Sequence, residues 1–534
     1  MNDRSAAGPA AKPGSRWARP SLYHAGFIAI FLIAVALRGY HLGTQSLWVD
    51  ELGEGTSAED DMSRFVTDLR ADFGAAPLDY LGVKLFTTVL GHSTIATRSW
   101  AFAMGSLGVV LIYVLGSRLF NDRVAGLIAA GMMTFSAFDI YYSQEARFYA
   151  LAIVAGMLNL YAFLRALDSG AARDWIIYAV CTAIALYSHF FLAALLPVEG
   201  VYLAGAQVAI ARRDSSRGGV KAAVTQVGLC LAAQVAAFLV FVPWLVSELS
   251  VQGTAGYPEL PALGIRRVYQ IFVVLIGMAP LNSVGPNGLG ALMRTNIVLG
   301  LAALGFVWEL ALRRWRVLLL AGIIGIAIPL AWRSDQVEHY FWAERQVIFV
   351  LVPLYLLAAT GMGHVITNVV RWFLQMDRFR SLSRAAVAVA LFAIVAATWA
   401  AAYSSPIVLV YSDRWEPKED WRSVATFIDQ NECTDSQYWT YVNAHYSYGF
   451  AYYDPALGPR SHYLWELPGG GSTTDPVAAV QAQHLGANDW IILATGMTTS
   501  TANGMSADET LRALGWSPTA FNGLTVYHQM TCTR

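Results

Sequence analysis

Charge is scarce in this chain. Asp, Glu, Lys and Arg make up 14% of its 534 residues, where a soluble domain carries about 25%. Hydrophobic residues reach 56% and the mean hydropathy is +0.45. That shortage excludes an ordinary soluble globule and reads as a polytopic membrane protein. The net charge of −1 gives no ground for a nucleic-acid partner. Cysteine is also scarce. Of the four cysteines, Cys181 and Cys230 lie in apolar runs, where a free thiol behaves as a small hydrophobe. Cys433 and Cys532 lie in polar sequence, where a disulfide is permitted if the compartment is oxidising. Neither pair has metal-ligand spacing. There is no Walker loop and no glycine-rich dinucleotide fingerprint after a strand. Residues 1–24 are polar and rich in Ala, Pro, Gly and Arg, which predicts a disordered cytoplasmic tail. The apolar run that follows, Phe27 to Leu37, has no small-residue cleavage site behind it, so a cleaved signal is not expected.

What is abundant is apolar sequence of membrane length, broken by short basic loops. Length and loop charge predict about eleven transmembrane helices: 25–41, 99–117, 124–140, 149–165, two within 175–210 that break near Ser188-His189-Phe190, then 222–246, 291–311, 317–332, 346–362 and 385–402. Two apolar segments, 78–90 and 267–281, are assigned to the interface. The first is short of the ~20 residues a span needs. Counting the second as a span would put Arg313-Arg314-Trp315-Arg316 on the outer side. From about 403 helical and strand patterns alternate: helix from Glu419 to Ile428, helix near 476–485, strand from Asp489 to Ala494, helix from Ala507 to Leu514, strand from Gly523 to Tyr527. A small C-terminal α/β domain over 403–534 follows. The predicted division is a tail (1–24), a transmembrane domain (25–402) with a long outer loop (42–98), and this extracytoplasmic α/β domain.

The acidic residues gather on one side of this layout. Ser46-Leu47-Trp48-Val49-Asp50-Glu51 places two carboxylates just beyond the first span. Asp72, Asp79, Glu145, Arg147, His189, Glu344 and Arg345 come from segments hundreds of residues apart, yet parity puts them on the same face. An ionised Asp accepts protons or holds a cation, and guanidinium pairs bidentately with phosphate. A candidate base, Asp50, and candidate cations for a phosphate, Arg345 and Arg147, therefore share one face. Each residue also has a plainer reading. Arg147 can pair with a loop carboxylate, Arg345 can anchor the mouth of a span, and His189 can bond to backbone. Asp79 can cap the short helix, Lys84 on that helix can be an interfacial lysine, and Tyr141, Tyr142 and Tyr149 can belong to an aromatic belt.

Ser46–Glu51, Ala75-Ala76-Pro77-Leu78-Asp79-Tyr80, the run from Tyr141 to Leu151 containing Ser143-Gln144-Glu145-Ala146-Arg147-Phe148-Tyr149, and Trp342-Ala343-Glu344-Arg345-Gln346 occur in an order and spacing that resembles the multi-span glycosyltransferases of the C-type (GT-C) membrane fold. The nearest resemblance is to the bacterial RgtA/B/C/D-like and protein-mannosyltransferase-like (PMT/ArnT-related) enzymes, over roughly residues 25 to 405. The chain departs from them at Ala75-Ala76-Pro77, where many relatives carry His-Pro-Pro or Lys-Pro-Pro. The resemblance implies transfer of a sugar, with inversion, from a polyprenyl-phosphate donor. The acceptor would be a lipopolysaccharide core, lipid A, another glycolipid, a cell-wall glycan or a protein, at the outer face of a bacterial inner membrane. It carries the catalytic-base role to Asp50, with Glu51 beside it. Arg345 and Arg147 are the donor phosphate ligands, and Glu145, His189, Asp79, Gln346 and Tyr149 are further substrate contacts. It implies no required metal; a diphosphate donor would recruit a divalent cation.

Two other classes compete. Transporters and lipid flippases keep ionisable groups at mid-membrane, whereas these lie in outer loops. A non-catalytic glycan-binding scaffold could stack sugars on Tyr438-Trp439-Thr440-Tyr441 and Tyr446-Ser447-Tyr448, although packing in the domain core is the simpler role for those rings.

Overall fold

The computed structural model describes residues 22–532 except 72–74, 214–216, 252–265, 279–285, 339–343, 377–382, 413–417, 442–447, 465–475, 484, 495–500 and 503–504. The tail predicted for 1–24 therefore lies almost wholly outside the described residues, as does Asp72.

The first helix, α1 (Leu22–Gly39), is followed by three helices of the long loop: α2 (Val49–Glu59), α3 (Met62–Ala71) and α4 (Pro77–Leu90). Then come α5 (Thr94–Phe120), α6 (Arg123–Thr134), α7 (Ala137–Tyr142), α8 (Tyr149–Ser169), α9 (Ala172–Ser188), α10 (Leu195–Arg213) and α11 (Arg217–Val251). The short α12 (Arg266–Phe272) continues into one π turn and stops at Gly277. The remaining long helices are α13 (Pro286–Ala311), α14 (Val317–Glu338), α15 (Leu351–Gln375) and α16 (Arg384–Tyr411). Among the described residues, nine helical stretches are long and apolar enough to cross a membrane. The two other expected spans are shorter. α9 has 17 residues. The run 124–140 is not one helix but α6 and α7, because Ser136 leaves helical geometry and its hydroxyl caps Asp139 N, a position that favours a helix start.

Parity is visible at the end of the bundle away from the acidic loop. Asp168, at the end of α8, pairs with Arg118 at 3.1 Å and with Arg316, just before α14. The α5–α6 and α13–α14 turns therefore share one face, as they do if the α12 segment does not cross. At the other end Arg38, in the last turn of α1, is fully buried and pairs with Asp139 of α7. It also donates to Met133 O at 3.1 Å, which satisfies a carbonyl at the α6–α7 break.

The C-terminal part is α/β. It contains α17 (Trp421–Asn431), β1 (Tyr438–Tyr441), α18 (Tyr448–Tyr453), β2 (Ser461–Tyr463), α19 (Pro476–Gln483), β3 (Trp490–Ala494), the small β4 (Thr501–Ala502) and β5 (Met505–Ser506), α20 (Ala507–Ala513), β6 (Ser517–Phe521) and β7 (Leu524–His528). The main sheet has the order β2-β1-β3-β7-β6; β1 pairs parallel with β2 and β3, and β7 antiparallel with β3 and β6. Alternation along β3 and β7 splits its core. Tyr438, Trp490, Ile492 and Val526 pack with Trp421 and Ile428 of α17, while Ile491, Leu493 and Tyr527 pack with Leu511 of α20. The expected helix near 420 and the strands near 490 and 525 form within a few residues of their sequence bounds. Tyr438 is a core residue and not a sugar platform; Tyr446 and Ser447 lie outside the described residues. Leu47 and Leu52, from the first loop, join the same buried cluster as Trp421 and Val424, so this domain is seated on α2.

Cys433 and Cys532 form a disulfide with a Cα–Cα distance of 5.1 Å and a sequence separation of 99. It ties the C-terminal end of the chain to the segment after α17, where Cys532 N also donates to Asn431 O at 2.9 Å. Closing a loop of that length stabilises a domain by about 4–5 kcal/mol in the chain-entropy model. In intact spheroplasts a membrane-impermeant thiol reagent is expected to label neither cysteine before reduction and both after it. Labelling without reductant only after permeabilisation would refute both the bridge and the sidedness.

Candidate active site

The loop Ser143–Arg147 is held by successive residues through separate bonds. Gln144 Nε2 donates to Arg38 O at 2.8 Å and Tyr40 O at 2.6 Å, which satisfies carbonyls left open at the end of α1. Ala146 N donates to Glu51 Oε1 at 2.9 Å, Glu145 meets Lys418 Nζ at 3.4 Å, and Arg147 pairs with Glu54 at 3.1 Å. Gly105 of α5 lies against Ser143; a Cβ there would sit 2.0 Å from its Oγ, so only glycine admits this approach.

Glu51 is the centre of this arrangement. It is fully buried and accepts from Arg98 Nε and Nη2, both at 2.7 Å, and from Lys418 Nζ at 3.0 Å. Burial pushes the Glu51 carboxyl up, but the Arg98 and Lys418 charges, with the bonds from Arg98 and Ala146 N, bring its pKa down to about 2. Its basicity is low, and this geometry makes Glu51 the centre of an ion-pair network, whereas the resemblance placed it beside Asp50 as a catalytic residue. Arg98 also donates to the carbonyls of Leu42, Gln45 and Ser46 at 2.9–3.1 Å, fixing the loop that leads into α2.

Asp50 turns the other way. Successive helix residues lie ~100° apart, so the inward Glu51 leaves Asp50 at the surface, 29% exposed. Its Oδ2 lies 3.7 Å from Arg345 Nη2. The Arg345 guanidinium stacks over the Trp48 ring at 5.4 Å and the Tyr149 ring at 5.8 Å. Asp50 and Arg147 line a cavity of about 210 Å³ with Gly53, Thr56, Arg64 and Tyr80. The structure thus brings Asp50, Arg345 and Arg147 together at a reachable surface, although their segments are nearly three hundred residues apart.

The other expected contacts stand behind that surface. Glu145 is buried on Lys418. Tyr149 is buried beneath Arg345. His189 is buried among Phe148, Phe190 and Phe191, with Nε2 2.8 Å from Gln346 O. Burial, against that backbone bond, brings the imidazole down to about 4, so the ring is neutral and holds the Arg345–Gln346 turn in place. Gln346 contributes its carbonyl to that bond. Asp79 is buried too, accepting from Trp100 Nε1 at 2.8 Å while Trp100 lies over Gly82. Burial pushes Asp79 up to about 6, restrained by bonding to Glu54 and Trp100 and by the charge of Arg147. The Glu145, Tyr149, His189 and Asp79 side chains are thus buried behind the Asp50–Arg345 surface. Lys84, read as an interfacial lysine, donates instead to Ala58 O and Asp60 O at 3.1 and 2.6 Å.

Sequence reading missed Arg98, Lys418, Glu54 and Trp48. Glu54 was recoverable: it lies four residues after Asp50 and three after Glu51, which is helical spacing, a signal hidden by reading the segment as a loop. Arg98 and Lys418 carry no local motif.

A family model described as dolichyl-phosphate-mannose-protein mannosyltransferase matches residues 75–246. ArnT from Cupriavidus metallidurans is similar in structure over 94% of this chain and 98% of its own, at 15% identity and TM-score 0.52. The chain has the fold of the C-type membrane glycosyltransferases. The Archaeoglobus fulgidus oligosaccharyltransferase is similar over 90% of this chain and 71% of its own, at 11% identity and TM-score 0.51. No curated protein matches the chain by sequence. Within this C-type fold the acidic first loop and the Ser143–Arg147 run meet at one face.

The buried Glu51 cluster generates a stability prediction. Its pKa is depressed on folding, so its contribution is full above about pH 4.5 and is lost as pH falls toward 2. Glu51→Gln takes the buried carboxylate away from Arg98 and leaves Lys418 with Glu145 at 3.4 Å; it is expected to cost about 3–5 kcal/mol at neutral pH and to flatten the acid limb of the melting curve series. Asp79 has the opposite sign: its raised pKa means stability falls as pH climbs through about 6. Asp79→Asn should therefore raise Tm relative to the parent at alkaline pH and not at acidic pH, read by thermal unfolding in detergent.

Proposed function

We propose that this chain is an inverting membrane glycosyltransferase that moves one sugar from a polyprenyl-phosphate donor to a hydroxyl of an extracytoplasmic glycan, lipid or protein. The observation that carries the reading is the Asp50–Arg345 pair at the edge of a cavity: a surface carboxylate beside a guanidinium backed by two aromatic rings. The family model's dolichyl-phosphate-mannose description supports a lipid-phosphate donor. So does an apolar cavity of about 130 Å³ beside His189, lined by Ala75, Pro77, Leu186, Phe241 and Trp244, which suits a prenyl chain. The basic loops on the opposite face support an outward-facing site in a bacterial plasma membrane, and with it an extracytoplasmic place for residues 403–534.

On this reading the donor phosphate displaces Asp50 from Arg345. The phosphate takes the guanidinium fork, and the carboxylate is released to accept the proton of the acceptor hydroxyl. The acceptor oxygen bonds to the anomeric carbon as the bond from that carbon to the phosphate oxygen breaks. The electron pair leaves with the polyprenyl phosphate, whose added negative charge Arg345 and Arg147 offset. A single phosphate leaving group needs no divalent cation beyond these arginines.

Asp50→Asn keeps the shape and removes basicity. With donor retained, turnover in lipid nanodiscs is expected to fall ~10²-fold or more, and near-parental turnover would overturn the role. Arg345→Lys is expected to weaken donor retention, because the planar fork is lost; mass spectrometry of co-purified lipid reads this directly. Free substitution by Lys, with loss only in Arg345→Ala, would reduce Arg345 to a point charge.

A further inference from the structure

At the face opposite Asp50 a further cavity, of about 460 Å³, lies where the α5–α6 turn (Arg118–Asn121), the α13–α14 turn (Arg313–Val317) and Tyr202 of α10 meet. We infer that it binds the anionic headgroup of a membrane phospholipid. The proposal is independent of the chemistry assigned to Asp50.

Charge is the first argument. Four guanidinium groups line the cavity: Arg118, Arg313, Arg314 and Arg316. Two carboxylates answer them. Asp168 bridges Arg118 and Arg316, while Glu309, buried, meets Arg314 at 3.3 Å and shares its other oxygen with His364 at 3.0 Å. Four cations against two anions leave an excess of two positive charges in a recess between helix ends. The Arg118 guanidinium is also stacked over Tyr161 at 4.8 Å, and its Nε is buried with no hydrogen-bond partner among the described residues. Arg313, exposed, takes a φ of 58° at the end of α13, a left-handed geometry usually reserved for glycine or asparagine at that position. An arginine there accepts a backbone cost that presentation of its charge would explain.

The surroundings argue for a lipid over a soluble anion. Trp315 is 55% exposed, and Leu312 and Leu318 are 50% and 41% exposed, on the same turn. Tryptophan and basic residues together at a helix end mark the headgroup level of a bilayer, and basic recesses between helix ends take phosphate headgroups. A site for a free anion has no use for the apolar rim.

The test uses the full chain in nanodiscs of phosphatidylcholine with a minor share of phosphatidylglycerol. Native mass spectrometry counts the lipids that survive extraction. The parent is expected to hold phosphatidylglycerol in preference to phosphatidylcholine. Arg313→Gln with Arg314→Gln removes two charges and leaves the Arg118–Asp168–Arg316 bridge, and is expected to lower that preference by roughly thirty-fold. Arg313→Lys with Arg314→Lys should retain most of it. If the glutamine pair does not fold, Arg313→Gln alone, whose side chain makes no ion pair among the described residues, should lower the preference by roughly five-fold. Equal retention of both lipids by the parent, or an unchanged preference in the glutamine variants, would overturn the proposal. So would displacement by inorganic phosphate at matched headgroup concentration, which would mark a site for a soluble anion.

Discussion

The face that carries Asp50 and Arg345 depends on one buried carboxylate. Glu51 is surrounded by protein on every side, and an ionised carboxylate in such a place is tolerated only if its lone pairs are met. Arg98 meets two of them with a planar fork, and Lys418, the Ala146 amide of the Ser143–Arg147 loop and the Trp48 amide add further contacts. Four segments far apart in the chain are thereby required to converge on one point: the first loop, the start of α5, the loop before α8, and the segment leading to α17. An arrangement of paired charges contributes little net stability compared with apolar packing. What it fixes is position, since removing any partner strands the others.

Position is what the neighbouring residue needs. Glu51 locked inward fixes the rotation of α2, and that rotation alone turns Asp50 outward toward Arg345. Arg345 is placed by different means: two aromatic rings beneath it, and a neutral His189 holding the carbonyl of the next residue. Asp50 and Arg345 are supported by different contacts, one set polar and one aromatic, which meet at Trp48, the residue that caps α2. The ion pair that joins them, at 3.7 Å, is longer than the bonds behind it.

The membrane part of this design was legible because hydrophobic length and loop charge are local signals. The break near His189, the short helix at Pro77–Leu90 and the strand at Trp490–Ala494 could all be read from their own residues. The α6–α7 break was less so, because Ser136 acts as a cap only in the context of Arg38 and Asp139. Parity could place Asp50 and Arg345 on one face, and the resemblance supplied their expected roles. Which of the neighbouring residues are buried could not be read, because burial depends on partners outside the motif. Nothing near Glu51 in the sequence announces Arg98, 47 positions on, or Lys418, 367 positions on. Asp79, Glu145 and His189 were chosen for their chemistry, and burial then removed them from the surface. The most distinctive run, Ser143–Arg147, is distinctive because nearly every residue in it is a tether.

Lys418 also gives the structure an order in time. Glu51 and Arg98 are made early and meet as soon as α5 is in place. Lys418 follows Glu51 by 367 residues, which at ~5–20 residues per second is a delay of roughly 20–70 s in a growing chain. Until then Leu47 and Leu52 have no α17 to pack against, and Glu51 lacks one of its two cations. The outer face can be finished only after the last membrane helix has been inserted and the C-terminal segment has emerged. A nascent or truncated chain, however well its helices are seated in the bilayer, would carry an unfinished site, so completion of the protein and completion of its surface chemistry coincide.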